Sequence, residues 1–211
     1  MEMGNIKPIV SWGFLALFVS IVALIQDYSR FDLAITQWIQ ENLLSSFEDI
    51  AQILHRFGTT TWGLIEIVLV ACIFLLGKEW SKAGLAVTLV VPNLAAKMLK
   101  SLIARPRPDA GLVYVAVDSV SGYSFPSGHM VHFTLLFGFI LYFGLLPRVT
   151  GVVRILILAS TGLILTCIGI SRVLLGVHWP SDVIGGAIWA CTFLSVMIYL
   201  DRQIIAKLGK K

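Results

Sequence analysis

The sequence predicts an all-α, polytopic membrane protein with six transmembrane helices and one amphipathic helical segment. The first observation is composition: hydrophobic residues make up 57% of the 211-residue chain and charged residues only 13%. A soluble domain of this length needs more charge on its surface, so the composition excludes an ordinary soluble fold. The second observation is a series of six apolar stretches, each close to the roughly 20 residues that cross a bilayer as a helix.

The six predicted spans follow one another along a single domain, residues 1–211. They lie near 8–25, 60–77, 83–99, 129–146, 152–171 and 181–200. No long linker, low-complexity tract or internal repeat interrupts this series. The first stretch is long for the apolar region of a signal peptide and has no small-residue cleavage site after it, so we interpret it as a span.

The stretch 31–57, between the first two spans, differs from them because acidic and amide residues separate its apolar ones. The apolar residues recur every three or four positions, at Phe31, Ile35, Ile39, Leu43, Phe47, Ile50 and Leu54. This periodicity predicts an amphipathic helical segment at the outer membrane interface. A lid that only packs on the bundle and a gate for a substrate both agree with the pattern.

The distribution of positive charge predicts the orientation in the membrane. Six spans place both termini on one side, and the sixteen Lys and Arg residues then divide nine to seven in favour of that side. Because cytoplasmic loops carry the excess of positive charge, we expect a multi-pass plasma-membrane protein with cytoplasmic termini. This asymmetry in positive charge becomes larger if some of the seven outer cations belong to a functional site and are left out of the count.

Three polar clusters stand at the ends of predicted spans: residues 100–109, 126–129 and 171–182. Polar groups at membrane depth are costly, so such clusters indicate function. With the amino terminus inside, the third span ends outside and the fourth begins outside. The junction of the fifth and sixth spans lies on that side as well. We therefore expect all three clusters to meet at the extracytoplasmic face.

These clusters carry residue types that bind phosphate. Lys100, Arg107 and Arg172 supply three positive charges, and guanidinium groups form bidentate pairs with oxyanions. At the start of the fourth span, Ser127 supplies a hydroxyl, and Gly128 allows close approach to the unpaired backbone N–H groups of a helix terminus. Each cation alone also agrees with snorkelling to lipid headgroups. The presence of all three cations beside two histidines favours an anion-binding site.

The histidines of the same clusters suggest a reaction. Pro180 suits the first position of the sixth span, which places Asp182 in the first turn and His178 just outside it. The carboxylate is then expected to accept from one ring nitrogen and leave the other free to attack phosphorus. His129, from another helix, is expected to protonate the leaving oxygen. No acidic cluster of the kind that holds magnesium is present, so we expect no metal and no other cofactor.

Three motifs in this order resemble the tripartite signature of the type 2 phosphatidic acid phosphatase (PAP2) superfamily. They are K-x6-R-P from Lys100 to Pro108, P-S-G-H at 126–129, and S-R-x5-H-x3-D from Ser171 to Asp182. The six-span layout is also similar, so the resemblance covers about residues 60–200. It implies that His178 is the nucleophile, Asp182 its orienting partner and His129 the acid.

The resemblance also implies phosphatase activity on a membrane lipid. The chain looks like the small bacterial phosphatases of this family that act on phosphatidylglycerophosphate and undecaprenyl pyrophosphate. We expect undecaprenyl pyrophosphate as the first choice of substrate, phosphatidylglycerophosphate as the second and phosphatidic acid as the third. By the same resemblance, the phosphate contacts are Lys100, Arg107, Ser127, Gly128, His129 and Arg172. No nucleic-acid partner is expected, and the sequence leaves the oligomeric state open.

Three other ionisable residues lie close to these clusters or at the end of the amphipathic segment. Glu66, near the outer end of the second span, is expected either to hydrogen-bond a substrate headgroup or to sit neutral or paired at the interface. His132, one turn below His129, is interpreted as a packed histidine. His55 is interpreted as a solvated one.

Other functions use similar residues. A vanadium-dependent haloperoxidase has the same oxyanion cradle, but those relatives are soluble. A lipid phosphotransferase would pass the phosphoryl group to an alcohol, and a phosphatase of soluble esters would differ only in access to the pocket. A lipid-binding or transport protein would need no nucleophile, so its activity would survive substitution of His178.

Overall fold

The computed structural model describes residues 6–117 and 120–208, and the described chain is helical. The helices are α1 (Lys7–Ile25), α2 (Arg30–Phe57), α3 (Thr60–Leu76), α4 (Trp80–Val87), α5 (Val90–Ile103), α6 (Gly128–Phe139), α7 (Gly151–Leu174) and α8 (Pro180–Leu208). A π-helical segment, Ile140–Leu145, continues α6. The all-α prediction is confirmed.

Five segments of the described chain are long and apolar enough to cross a membrane. They are Lys7–Ile25, Trp80–Ile103, Gly128–Leu145, Gly151–Leu174 and Pro180–Ile205. Each overlaps one of the predicted spans. The prediction of a multi-pass membrane protein is therefore confirmed.

The remaining predicted span corresponds to α3, which differs from the other five. Its 17 residues rise about 26 Å, somewhat less than the roughly 30 Å of a hydrocarbon core. α2 and α3 together pass as a sixth candidate span, but they are bent by 67°. Gly58 ends α2 and Thr59 is extended, which interrupts the helical hydrogen bonds at the bend. The pair is thus a broken span or a re-entrant segment, and the interfacial placement of α2 stays a prediction.

The third predicted span is divided into α4 and α5 by a tight turn. Pro92 explains the division, because it has no N–H to donate and its ring collides with the carbonyl of Thr88 in a regular helix. The N–H groups of Thr88 and Leu89 instead donate to carbonyls three residues earlier. At the other end of α5, Ala104 adopts the left-handed conformation, with φ of 53°. This residue turns the chain out of the helix and into the loop that carries the first polar cluster.

α2 turns polar residues toward the protein and most of its large apolar residues away from it. Asp32, Thr36 and Gln40 are buried. The exposed apolar residues include Phe31, Ile35, Phe47 and Ile50. The Gln40 amide donates to the carbonyls of Tyr114 at 2.8 Å and Leu174 at 3.1 Å. The predicted period is present, but most of the apolar stripe does not face the bundle, because the protein side of α2 holds backbone carbonyls and charges that need polar partners.

α6 runs through the centre of the bundle. Its residues Val131 and Leu135 are buried in a core that also contains side chains of α3, α5 and α8. Gly186 lets α8 approach the start of α6, since a Cβ at this position would lie 2.7 Å from the Ser127 carbonyl oxygen. The Ser127 N–H donates to the Asp182 carbonyl oxygen at 3.0 Å. This contact fixes the first turns of α6 and α8 side by side.

Candidate active site

The structure brings the three polar clusters together at one end of the bundle. The loop between α5 and α6 passes over the junction of α7 and α8, where Arg107 Nη1 donates to the Val177 carbonyl at 2.5 Å. The Ser124 N–H donates to the Arg105 carbonyl at 2.8 Å. The expected catalytic and phosphate-binding residues all lie in this region: Lys100, Arg107, Ser127, Gly128, His129, Arg172, His178 and Asp182.

His178 and Asp182 lie side by side, but a serine hydroxyl stands between them. The His178 Nδ1 to Asp182 Oδ2 distance is 3.7 Å, which is longer than a hydrogen bond. Ser124 Oγ lies 3.4 Å from His178 Nδ1 and donates to Asp182 Oδ2 through a short hydrogen bond. The sequence predicted direct contact between carboxylate and ring. Because the Ser124 proton goes to Asp182, the hydroxyl can only accept from Nδ1–H, which leaves the Nε2 lone pair free.

Burial lowers the pKa of His178 well below its usual value of 6.5, and the positive charges of Lys100, Arg107 and Arg172 lower it further. The imidazole is therefore neutral at physiological pH. A neutral ring with its proton on Nδ1 is the form that can attack an electrophile through Nε2.

Asp182 is held from several directions at once. Its Oδ2 also accepts from the Trp179 N–H at 2.8 Å. Its Oδ1 accepts from Arg105 Nη1 at 2.6 Å. The carboxylate is fully buried, and a buried carboxylate with hydrogen bonds to both oxygens cannot rotate freely. Its orientation toward His178 is thus fixed by the protein.

Lys100 and Arg107 bind backbone carbonyls of the site rather than carboxylates. Lys100 Nζ donates to the carbonyls of Tyr123 and Ser124, both at 3.0 Å. Arg107 Nε donates to the Gly122 carbonyl at 3.0 Å. Burial lowers the pKa of the Arg107 guanidinium from its ordinary value. Neither side chain takes part in an ion pair of the described residues that would offset the cost of burying its positive charge.

Arg172 is the third cation, and it is fully buried. Its Nη2 donates to the Ala51 carbonyl at 3.0 Å, and its Nη1 lies 2.7 Å from His55 Nδ1. Within residues 6–117 and 120–208, none of the ion pairs found includes Lys100, Arg107 or Arg172. We call these three residues the cationic clamp. Three converging cations without a carboxylate partner favour a bound anion.

The start of α6 adds neutral donors to the clamp. Ser127 is the N-cap residue, yet its side chain makes no capping hydrogen bond. Its Oγ is buried and has no hydrogen-bond partner among the described residues. The first N–H groups of α6 have no intrahelical partner either. Gly128 lies next to Lys100, since a Cβ added at Gly128 would be 4.0 Å from the Lys100 Cε. A buried free hydroxyl beside a helix amino terminus suits a phosphate oxygen.

His129 lies under the bend between α2 and α3. Its Nε2 lies 3.0 Å from the His55 carbonyl oxygen, and the two imidazole rings stack with centroids 5.4 Å apart. Gly58 makes this approach feasible, because a Cβ there would lie 1.9 Å from the His129 ring. The interpretation of His55 as a solvated residue is therefore wrong: its ring is half-buried against His129 and Arg172. The fold of α2 back onto the bundle explains the difference.

Glu66 and His132 form a pair beside the site. Glu66 Oε2 lies 2.7 Å from His132 Nε2, and His132 is buried. His132 lines a cavity of about 290 Å³ together with His129 and Lys100. Most of the remaining wall is contributed by α3 and α5, through Gly63, Leu64, Ile67, Val90, Leu94 and Ala96. The cavity therefore lies between these two helices and reaches Lys100 of the clamp and His129.

No group of three His, Cys, Asp or Glu side chains in the described residues has an arrangement that could hold a metal ion. The expectation of a metal-free reaction stays a prediction.

Sequence reasoning missed several residues of the site, among them Arg105, Ser124, Asp32 and His55. Arg105 sits two residues before Arg107 in the run R-P-R-P, so the sequence carried a signal in the form of a second arginine. Ser124 stands three residues before Ser127 and carried no signal of its own. Asp32 and His55 belong to α2, and only the packing of α2 on the bundle brings them to the site.

Comparison with known proteins identifies the family to which the chain is similar. The family model of the PAP2 superfamily matches residues 81–205, more than half of the chain. Phosphatidylglycerophosphatase B of Bacillus subtilis is 35% identical over 136 residues, which cover 63% of this chain and 64% of that protein. Decaprenylphosphoryl-5-phosphoribose phosphatase of Mycobacterium tuberculosis is 34% identical over 144 residues, which cover 66% of this chain and 72% of that protein.

A solved structure shares the fold. The crystal structure of a transmembrane PAP2-type phosphatidylglycerolphosphate phosphatase from Bacillus subtilis superposes with a TM-score of 0.75 at 24% sequence identity. The match covers 95% of this chain and 98% of the other. The chain therefore belongs to the PAP2 superfamily, as its three motifs predicted, and is a multi-pass membrane phosphatase of that family.

Proposed function

We propose that this phosphatase hydrolyses a phosphate ester or pyrophosphate of a membrane lipid through a phosphohistidine on His178, without a metal ion. The observation that carries the proposal is the cationic clamp: three cations that have no carboxylate partner among the described residues lie around a buried, neutral histidine. Such a clamp neutralises the charge of a phosphoryl group, which is the role of a metal ion in other phosphatases.

The proposed first step transfers the phosphoryl group to the enzyme. The Nε2 lone pair of His178 forms a bond to phosphorus, while the bond between phosphorus and the leaving oxygen breaks. His129 gives a proton to that oxygen, so the lipid leaves as an alcohol or, from a pyrophosphate, as a monophosphate. Lys100, Arg107 and Arg172, with Ser127 and the first N–H groups of α6, bind the three remaining oxygens.

The proposed second step releases phosphate. A water molecule gives a proton to His129 and attacks phosphorus, the N–P bond breaks, and the electron pair returns to His178. In both steps the Nδ1 proton stays on His178 and is hydrogen-bonded to Ser124, which donates to Asp182, and the negative charge of Asp182 stabilises the cationic, phosphorylated ring.

The cavity beside the clamp supports a lipid substrate. It is lined mainly by apolar side chains of α3 and α5, while Lys100, Gly128 and His129 form its polar end. Leu64 and Leu94, which contribute to its wall, are also exposed on the outside of the bundle, where acyl or prenyl chains lie. A lipid that enters between α3 and α5 would present its headgroup to the clamp and keep its tail in the bilayer.

Three lipids are proposed as substrates, in order of preference. Undecaprenyl pyrophosphate is the first candidate, phosphatidylglycerophosphate the second and phosphatidic acid the third. Similarity to phosphatidylglycerophosphatase B supports the second. Glu66 is proposed to act on the headgroup indirectly. It hydrogen-bonds His132, and His132 lines the cavity that would hold the headgroup.

The test is phosphate release by the purified protein in detergent with EDTA present. The substrates are undecaprenyl pyrophosphate, phosphatidylglycerophosphate, phosphatidic acid and soluble esters such as glycerol 3-phosphate, at matched concentrations. We expect turnover of at least one lipid in EDTA, well above that of the soluble esters. Activity that disappears with EDTA and returns with magnesium would contradict the metal-free step. A product that forms only when an alcohol acceptor is added would identify a phosphotransferase.

The site is proposed to open to the extracytoplasmic side, with both termini in the cytoplasm. The support is the excess of Lys and Arg on the side of the termini, together with the position of the site at the opposite ends of the spans. Ala110, an exposed residue of the loop over the site, can be replaced by Cys in a variant without Cys72, Cys167 and Cys191. An impermeant thiol reagent should label it in intact cells. Labelling only after lysis would reverse the orientation.

A further inference from the structure

Arg105 is a buried cation that belongs to the site but not to the cationic clamp. Its Nε donates to the carbonyls of Gln26 at 3.2 Å and Asp27 at 2.9 Å, in the turn between α1 and α2. Its Nη1 donates to Ser181 Oγ at 2.8 Å and to Asp182 Oδ1 at 2.6 Å. All three guanidinium nitrogens thus serve protein oxygens, since Nη2 donates to a further carboxylate. Arg105 differs in this from the clamp residues, whose charges have no carboxylate partner in the described chain.

The further carboxylate belongs to Asp32, in the first turn of α2. Asp32 Oδ2 lies 3.1 Å from Arg105 Nη2 and accepts from Ser181 Oγ at 2.9 Å. Its Oδ1 accepts from the Ser181 N–H at 2.9 Å. Asp32 also closes the capping box of α2, since its Oδ2 accepts from the Ser29 N–H at 3.0 Å. The start of α2 is therefore bonded directly to the first turn of α8.

Together these residues form a buried chain of charges, Asp32–Arg105–Asp182. Each member is at most 3% exposed. At this burial a single missing charge leaves its partners uncompensated, so the three must be present together. The chain ends on the catalytic carboxylate: Arg105 holds Oδ1, while Ser124 and the Trp179 N–H hold Oδ2.

We propose that Arg105 and Asp32 are positioning residues for catalysis, which fix the Asp182 carboxylate in the orientation that holds His178 for attack. This inference rests on the proposed phosphohistidine mechanism. Arg105 occupies the carboxylate oxygen that is turned away from Ser124, and this sets the rotation of the carboxylate plane. Asp32 in turn fixes the guanidinium plane of Arg105. Through Asp32 alone, the first turn of α2 therefore contributes a positioning residue to the site.

The experiment separates positioning from phosphate binding and from stability. The variants are Arg105→Lys, Arg105→Gln and Asp32→Asn in the full chain, with Arg30→Gln as the matched control. Arg30 is exposed in the same first turn of α2, and its substitution removes the same charge. Steady-state kcat and KM on the best lipid of the panel are measured together with the Ki of inorganic phosphate. Thermal unfolding and elution in detergent report on the fold of each variant.

We expect Arg105→Gln to lower kcat by about a hundredfold, the loss that a small misplacement of a reacting group causes. The Ki of phosphate should stay near the wild-type value, because the clamp is untouched. Arg105→Lys keeps the charge and should recover part of kcat, and Asp32→Asn should lose less than Arg105→Gln. Arg30→Gln should behave as the wild type.

Other results would overturn the proposal. Folded variants of Arg105 and Asp32 with wild-type kcat would show that the carboxylate is held without them. A rise in the Ki of phosphate in proportion to the loss of kcat would show that Arg105 shapes the whole pocket. If Arg105→Gln does not fold, Arg105→Lys and Asp32→Asn decide by the same two criteria. Failure of the proposed function itself would appear differently, as a wild-type protein without phosphate release on any lipid.

Discussion

The two sides of the active site treat charge in opposite ways. On the nucleophile side, Asp182 is paired with Arg105 and bonded to Ser124 and the Trp179 N–H. On the clamp side, Lys100, Arg107 and Arg172 bind carbonyls and a neutral imidazole, and no carboxylate of the described chain pairs with them. Both sides contain buried or half-buried charge within the same small region.

This difference in ion pairing distinguishes charges that the protein itself compensates from charges that remain available to a ligand. A buried charge that the protein has already compensated can hold a neighbour in place but gains little from a further partner. A charge that is bonded only to neutral groups still gains from an anion. We therefore propose that the clamp binds the substrate and that the paired carboxylate orients His178. The predictions below test this division.

The largest effect is expected on the nucleophile side. His178→Ala removes the group that receives the phosphoryl, so the rate should fall by on the order of a thousandfold or more, as on removal of one member of a catalytic unit. No phosphoenzyme should be trapped with any substrate. The clamp is intact, so the variant should still bind inorganic phosphate, as measured by calorimetry. Residual turnover near the wild-type rate would exclude His178 as nucleophile.

His129→Ala should give the next largest effect, and the effect should depend on the leaving group. An alkyl phosphate leaves as a poor alkoxide without an acid, so its turnover should fall by about a hundredfold or more. p-Nitrophenyl phosphate has an acidic leaving group and should be partly spared, and a pyrophosphate should lie between the two. The measurement compares kcat on these substrates for protein that elutes as a single peak. Equal losses on all of them would leave His129 as a phosphate ligand only.

Arg172→Gln tests the clamp side. Loss of one charge-assisted hydrogen bond to phosphate costs about 1.5–3 kcal/mol, which corresponds to roughly ten- to a hundredfold in kcat/KM. In contrast to the Arg105 variants, the Ki of inorganic phosphate should rise by a similar factor. Arg154→Gln is the control, because Arg154 is exposed at the start of the same helix. An unchanged Ki would show that Arg172 does not bind phosphate, and would contradict the proposed division between the two sides of the site.

Glu66→Gln is expected to have a smaller effect, of a few fold in KM, because a neutral amide still reaches His132 but loses its charge. The change should be confined to lipids with a polar headgroup next to the phosphate, and kcat on p-nitrophenyl phosphate should stay constant. KM measured on phosphatidylglycerophosphate and on phosphatidic acid checks this. An equal change on both lipids would assign Glu66 a structural role.

The smallest effect is expected from mild acidification. The reactive form of His178 is neutral, and its pKa is lowered by burial and by the clamp, so this form persists as the pH falls through 6.5. Activity that depends on it is present above the lowered pKa and is lost only below it. The rate of phosphoenzyme formation from p-nitrophenyl phosphate should therefore stay nearly constant from neutral pH to about pH 6. In Lys100→Met, which removes one clamp charge, the acid midpoint should move upward.

Much of the fold and of the candidate site could be predicted from residue order. The lengths of the apolar stretches set five spans, because a helix that crosses the bilayer must bond all its backbone groups internally. Because successive spans cross the membrane in opposite directions, their order predicted that all three polar clusters lie at one face. The residue types in these clusters predicted an anion-binding site with two histidines. Pro92, Gly58 and Ala104 then shaped these helices locally, at points that the apolar count alone did not reveal.

The tertiary structure alone decided how the charges are divided. Arg105 and Arg107 stand two residues apart in the same loop, each followed by a proline, and residue type alone does not show which of them pairs with a carboxylate. Arg105 points to Asp32 and Asp182, whereas Arg107 points to carbonyls, because α2 folds back over the bundle and delivers its carboxylate to one of them. The period of α2 predicted a helix but not its inward face, since burial of its polar residues depends on partners far away in the chain. The residue type determines which interactions a side chain can make. Whether its charge is already compensated, and so whether it is available to a ligand, depends on residues far away in the chain.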